Sequence, residues 1–330
     1  MLDPQNLDDR TAAAWHDLHQ VLEREEHPGD EPMGLEQLLL GARTPRPEQD
    51  ITRWLVLDEA GTACAWADLQ VRDTVDNRHL AFFDIGVRPE RRRQGIGSQL
   101  VRRCAAAAVA SGRTTLNGQG VLGSPGDRFL AASGGAFVYL ARVSRCPVAA
   151  LVRDQLVPWS TRRPGYTILG WDAPTPEDRL DAYARVLHVM NTAPMQDVDC
   201  EDEVFTSDLL RGRERAMLDR KGAKWVSVAR HDATGDIVGL SELFFDGFRP
   251  GPVHQGNTGV DPAHRGCGLG RALKAANALR LLDERPEAVF IETFNQDGNA
   301  PMLAINDAMG FRPHVRYRQY QLPAEALVVS

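Results

Sequence analysis

Apolar and polar positions alternate through residues 51–57 and again through 62–71, with Ala60-Gly61 between them, which predicts two strands joined by a tight turn. Ahead of them, apolar positions recur at helical spacing over 11–25 and 33–42 and predict two helices. A third strand over 79–87 is stopped by Arg88-Pro89. A glycine loop follows, then an alanine-rich helix over 98–110 closed by Ser111-Gly112. A strand at 114–116, a helix at 127–132 and a strand at 137–143 complete the run.

The second half repeats this order. A strand over 167–171 leads into helices over 176–190 and 207–221, and strands at 225–229 and 237–245 flank a Thr234-Gly235 turn. A strand over 253–260, a second glycine loop and a helix over 269–282 follow. A strand at 288–294, a helix at 300–309 and a strand at 315–321 end the pattern. Pro158, Pro164, Pro174 and Pro176 crowd the stretch between the halves, as in a linker over the surface. The expected division is therefore 1–157 and 158–330, near 160.

The loops spell nearly the same sentence, Arg92-Arg93-Gln94-Gly95-Ile96-Gly97 and Arg265-Gly266-Cys267-Gly268-Leu269-Gly270, 173 positions apart. Each follows a strand ending in valine, Val87 or Val260, and each opens a helix. Glycine there lets backbone N–H groups approach a phosphate without a Cβ in the way, and a helix N-terminus adds orphan donors and partial positive charge. A dinucleotide fingerprint needs a third glycine that Gly95-Ile96-Gly97-Ser98-Gln99-Leu100 lacks, and strict strand-helix alternation is missing. A tight turn with no ligand accounts for one loop more readily than for two at equivalent positions.

The Arg-x-x-Gly-x-Gly signature at a strand-to-helix turn, in this order of elements, resembles the GNAT superfamily of acyl-CoA-dependent N-acetyltransferases. The resemblance covers nearly the whole chain as two tandem units. It implies an α/β (α+β) fold, each unit a mixed, splayed central sheet flanked by helices, with acetyl-CoA as cosubstrate and no metal. The thioester arm would lie in the gap beside the splayed strand. The nucleotide end would meet Val87, Arg92, Arg93, Gly95, Gly97 and Ser98 in the first unit, and Val260, Arg265, Gly266, Gly268, Leu269, Gly270 and Arg271 in the second.

Asn299, with Gly310-Phe311 eleven and twelve positions on, matches the family's last helix, where the asparagine commonly faces the pantetheine arm; it would also serve as an N-cap. Where the family carries a tyrosine that protonates the leaving thiolate, this chain has Asn306, whose amide donates a hydrogen bond but no proton. The base position, eleven residues ahead of the motif, is His254 in the second unit and Ala81 in the first. A histidine titrating near pH 6.5 suits that work; its plain alternative is a half-exposed strand residue. Glu242 and Glu292 are reserve bases acting through water. The second unit is thus expected to be catalytic and the first a degenerate copy that keeps its CoA loop.

The turn after the second unit's first helix carries Asp197, Asp199, Glu201, Asp202 and Glu203, which would hold a cationic amine acceptor or simply meet solvent. The composition changes this little. Against 45 Asp+Glu stand 38 Lys+Arg, a net charge of −7 that argues against nucleic acid, although Arg88 to Arg93 form a local basic patch. Five scattered cysteines without C-x-x-C spacing indicate neither a disulfide framework nor zinc. An acidic, polar start and the lack of a long apolar run suggest a cytoplasmic protein with no membrane partner. The expected activity is transfer of an acetyl or short acyl group to the amine of a small, cationic metabolite. The alternative is a non-catalytic acyl-CoA sensor or scaffold.

Overall fold

A computed structural model describes residues 1–161, 163–193 and 198–329. In chain order the elements are α1 (Asp9–Glu26), α2 (Leu35–Arg43), β1 (Gln49–Leu57), β2 (Ala63–Arg72), β3 (Leu80–Val87), α3 (Ile96–Ala110), β4 (Thr115–Val121), α4 (Pro125–Ala132), β5 (Ala136–Pro147) and α5 (Arg153–Ser160). They continue with β6 (Tyr166–Asp172), α6 (Glu177–Leu187), α7 (Ser207–Asp219), β7 (Ala223–His231), β8 (Ile237–Phe245), β9 (Pro252–Val260), α8 (Leu269–Glu284), β10 (Phe290–Gln296), α9 (Ala300–Met309), β11 (Arg312–Pro323) and α10 (Ala324–Val329). No helix among the described residues is long and apolar enough to cross a membrane.

The compact units are not the contiguous halves 1–157 and 158–330. One comprises Met1–Tyr139, Asp197–Glu201 and Tyr317–Ser330; the other comprises Leu140–Gln196 and Asp202–Arg316. The reason is an exchange of strands. In the first unit the sheet runs β1-β2-β3-β4-β11, with Tyr317–Pro323 antiparallel to Thr115–Val121. In the second it runs β5-β10-β9-β8-β7-β6, with Ala141–Pro147 antiparallel to Phe290–Gln296. Each half's last strand completes the other half's sheet. Strand propensity is local, but the choice of partner is made by long-range pairing that a single sequence does not display.

The stretch read as a linker contains α5. Pro158 lies inside this helix, and Leu156 is buried in a cluster with Cys146, Leu243, Val253, Leu281 and Phe311. The first unit's core joins α3 to β2, β3 and β4 through Ala67, Ala81, Leu100, Cys104, Ala105 and Leu116. Small side chains on α3 let it lie close on the sheet.

Two features position the site. In the first unit β3 pairs with β4 in parallel only over Leu80–Phe82, although β3 runs on to Val87. In the second, β9 pairs with β10 over Pro252–Gln255 and runs on to Val260. Both sheets therefore open beside the strand that precedes the glycine loop.

His19 on α1 stacks on Trp66 with ring centroids 4.7 Å apart. Burial, helped by the nearby His16 and Arg53, pushes its pKa down to about 4. A histidine held neutral in the fold must charge on unfolding, so its stabilisation is complete above about pH 6.5 and is lost as pH falls through 4. His19→Phe keeps the stack without the proton. Thermal unfolding of the full chain is expected to show this variant losing about 2 kcal/mol less than wild type between pH 6.5 and 4. Equal losses would show that His19 is not the titrating group.

Candidate active site

The glycine loops are built alike. Gly95 and Gly268 precede α3 and α8 in the left-handed region, with φ of 82° and 75°, and neither helix start has a side-chain cap. The N–H groups of each first turn are left for a ligand or water. Arg92 Nε and Arg265 Nε each donate to the carbonyl of Val87 and Val260, both at 3.0 Å. Their guanidinium groups are otherwise occupied: Arg92 pairs bidentately with Glu25 on α1, and Arg265 donates to Thr192 Oγ1. The arginines expected to meet the nucleotide thus brace their loops. Gly97 and Gly270 sit one residue inside the helices, where an added Cβ would stand 3.4 Å from Phe129 and 3.5 Å from Ile305. Those are ordinary van der Waals separations, so α4 and α9 pack at normal distance from these glycines.

The loops differ at one place. Arg93 adopts φ of 61° where the second loop has Gly266 at 79°. At the second loop, Arg271 lies 4.9 Å over the Trp159 ring, and the Arg163 guanidinium is 3.5 Å from where a Cβ on Gly268 would stand. Sequence reasoning missed Arg163, because the proline-rich composition around it reads as linker. Leu269 is buried in the core, whereas Ser98 is exposed on α3.

On the second unit's sheet, His254 and Glu292 face each other in β9–β10 register, one pair before the strands part. His254 Nδ1 is 3.6 Å from Glu292 Oε1, the ring is 49% exposed, and Arg145 Nε holds Glu292 Oε2 at 2.7 Å. The structure brings these two predicted residues together.

Glu242 is in a different setting. It is 2% exposed, receiving hydrogen bonds from Tyr183 Oη at Oε1 and from the Asn257 N–H at Oε2, the latter at 3.1 Å. Lys224 Nζ donates to Tyr183 Oη at 3.2 Å and pairs with Glu214 at 2.9 Å. Glu214 in turn accepts from the N–H and hydroxyl of Thr175. Burial and the neighbouring Glu242 and Glu214 hold the Tyr183 phenol well above its ordinary pKa, so it remains a donor. A Cβ on Gly256 would meet Phe244 at 2.4 Å and Glu242 Oε2 at 3.1 Å, so this β9 position accepts only glycine.

Asn299 caps α9 by accepting from the Met302 N–H at 3.4 Å. Asn306 is 1% exposed and joins Lys274 to Asn295. The described acids of the run have different partners. Asp197 lies outside the described residues. Asp199 is 3.4 Å from His79, and its N–H donates to Gln321 Oε1, both within the first unit. Glu201 receives the Asn77 N–H, Glu203 pairs with Arg213 at 2.7 Å, and Asp202 is exposed. These acids chiefly anchor the segment.

The first unit holds a carboxylate that counting back from the motif passed over. Ala81 is buried in the core, but Asp84, three residues on, stands directly across β2–β3 from Asp68. Arg53 Nε pairs with Asp68 at 3.0 Å, and burial pushes that carboxyl up to about 6 against the pull of Arg53.

Residues 15–118 match the model of the acetyltransferase (GNAT) family. The chain is 29% identical over 299 residues to a mycothiol acetyltransferase of Thermomonospora curvata, covering 90% of this chain and 89% of that one. A tandem GNAT protein from the clavulanic acid biosynthesis pathway superposes with a TM-score of 0.80 at 27% identity, over 98% of this chain and 97% of that one. A GCN5-related N-acetyltransferase from Sphaerobacter thermophilus shares the fold, with a TM-score of 0.68 at 19% identity over 97% of each chain. Two parted sheets, each with a glycine loop tethered by its arginine and opening an uncapped helix, agree with these likenesses: residues 15–118 carry the acetyltransferase (GNAT) match, and the chain is similar along nearly its whole length to tandem GNAT proteins.

Proposed function

We propose that the second unit transfers an acetyl group from acetyl-CoA to the amine of a small molecule, with His254 as general base. The observation that carries this reading is the His254–Glu292 pair at the point where β9 leaves β10, on the strand that leads into the Gly268 loop. The uncapped start of α8 would take the pyrophosphate, with Arg163 and Arg271 supplying positive charge beside it. The thioester arm would enter the gap beyond Gln255, and the attacking amine would come from the face that carries His254. An ammonium has no lone pair, so a group titrating near neutrality must take its proton. Glu292, fixed by Arg145 at 2.7 Å, would orient the imidazole. A relative named for mycothiol supports a small-molecule acceptor.

His254→Ala is expected to lower kcat/KM by about 100-fold and to remove the acid limb of the pH profile, with acetyl-CoA affinity kept. CoA release measured with a thiol reagent across an amine panel tests this. An unchanged rate and profile would move the role to Glu292 or Glu242.

A second reading is favoured by Asp84 and by the family match over residues 15–118, namely that the first unit also performs transfer. Turnover that survives Gly268→Val and disappears with Gly95→Val would establish it.

A further inference from the structure

Lys274 projects from the buried face of α8. It is 2% exposed, its ammonium lies 5.1 Å from the centre of the Phe311 ring, and no carboxylate among the described residues stands within ion-pair distance. Burial pushes its pKa down to about 7, against a weak opposing pull from Cys146. Its hydrogen bond goes to Asn306 Oδ1 at 2.7 Å.

That bond sets a direction. A lysine ammonium can only donate, so Asn306 must present its oxygen to Lys274 and its NH2 to the other side. There Asn306 Nδ2 donates to Asn295 Oδ1 at 2.8 Å, and Thr293 Oγ1 lies 3.5 Å from the same oxygen. The oxygen of Asn295 is thereby taken. Its Nδ2 donates to no described residue. Asn295 is half-buried and lies two residues beyond Thr293, the last residue of β10 paired with β9. A chain of amides thus runs from a buried cation to a free donor where the sheet has opened.

We propose that Lys274 and Asn306 are positioning residues that aim the Asn295 Nδ2–H at the sulfur of acetyl-CoA and stabilise the thiolate that leaves. This rests on acetyl-CoA occupying the second unit, as proposed for its function. In the reaction the amine nitrogen forms a bond to the thioester carbonyl carbon and the C–S bond breaks with its electron pair going to sulfur. The amine proton passes to His254 and then to water, and the thiolate takes its proton from water on release. No residue has to protonate sulfur inside the site, which fits an amide at the position of the family's tyrosine. Lys274 sets the direction of the two amides in series, and the Asn295 N–H so presented favours the thiolate over the thiol.

CoA itself is the probe. The thiol of CoA bound to the full chain is titrated by its thiolate ultraviolet absorbance, with Gly268→Val as the reference that removes the second unit's share. The wild-type difference is expected to show a thiol pKa about one unit below that of free CoA, a tenfold gain in thiolate preference. Lys274→Met and Asn295→Ala should each return it to the free value while calorimetry shows CoA still bound. Lys274→Met exchanges a buried ammonium for an apolar chain of similar length but leaves Asn306 Oδ1 without its donor, so its Tm should fall by a few degrees at most. A wild-type thiol that titrates as free, a pKa that stays lowered in either variant, or loss of CoA binding with Lys274→Met would each overturn the assignment. Calorimetry in which Gly268→Val leaves CoA binding unchanged would instead remove the underlying reading, and this proposal with it.

Discussion

Gly268→Val should lower the second unit's affinity for CoA by about 100-fold or more, close to 3 kcal/mol. Two effects combine. Gly268 holds φ of 75°, where a β-branched side chain costs about 1–3 kcal/mol that the loop must absorb by moving. The new side chain would also point toward the Arg163 guanidinium, 3.5 Å from the Cβ position, and so disturb a cation beside the proposed phosphate site. Because Arg265 Nε fixes the loop to Val260, the loop cannot shift without breaking that tether. The fold should survive, since the loop is on the surface and α8 is buried through Leu269, Leu273 and Leu281. Arg93 already shows that a straight side chain is accommodated in a left-handed position of this loop type, so Gly268→Ala should have a smaller effect. Two-site calorimetry on the full chain measures both loops at once: Gly95→Val should remove the first site and leave the second. Undiminished binding in the second unit with Gly268→Val would place CoA elsewhere.

How much of the fold and site was legible follows the range of the interactions. The glycine loops, the turns at Ala60-Gly61 and Thr234-Gly235, and the repeated element order were readable because backbone permissiveness and side-chain period are local. The same reasoning gave His254 and Glu292 their strands. It missed α5, since Pro158 and its neighbours suggest a linker while Leu156 is buried by contacts from Cys146, Leu243 and Phe311 far along the chain. It also assigned the strands at 137–143 and 315–321 to their own halves, because nothing in an amphipathic strand says which sheet it will join. The partners of the signature arginines were illegible for a related reason. Arg92 and Arg265 open the motif, yet what they touch is set by Glu25 and Thr192 elsewhere in the sequence. Lys274 had no signal at all, for a lysine on an amphipathic helix normally faces water.

Breaking the buried pair of Glu214 and Lys224 should have the largest effect on stability, and it should reach the site. Both side chains are nearly excluded from water, at 3% and 5% exposure, and they meet at 2.9 Å. Burial alone would raise the Glu214 carboxyl, but the Lys224 charge and the Thr175 bonds outweigh it and hold the pKa below the usual value. Its contribution to stability is therefore present above the ordinary carboxylate pKa and lost as pH falls through the lower folded value. Glu214→Gln keeps the shape but leaves Lys224 as a buried cation with only Glu242, 3.9 Å away, as counter-charge, at an expected cost of about 3–5 kcal/mol. Replacing both partners, as in Glu214→Leu with Lys224→Met, should cost less than the single change, because the 2.9 Å pair is removed as a unit and only Glu242, 3.9 Å from Lys224, loses a more distant cation. Lys224 also donates to Tyr183, whose hydroxyl binds Glu242, the carboxylate that receives the Asn257 N–H on β9 just past the last pair with β10. The double variant should accordingly regain stability but not full activity, because Tyr183 then lacks the charge that orients it. Denaturant unfolding and acetyl transfer measured on wild type, Glu214→Gln, Lys224→Met and the double variant make the comparison complete. If the double variant is as unstable as Glu214→Gln, shape rather than charge holds this core together, and the link from Lys224 to Glu242 loses its basis.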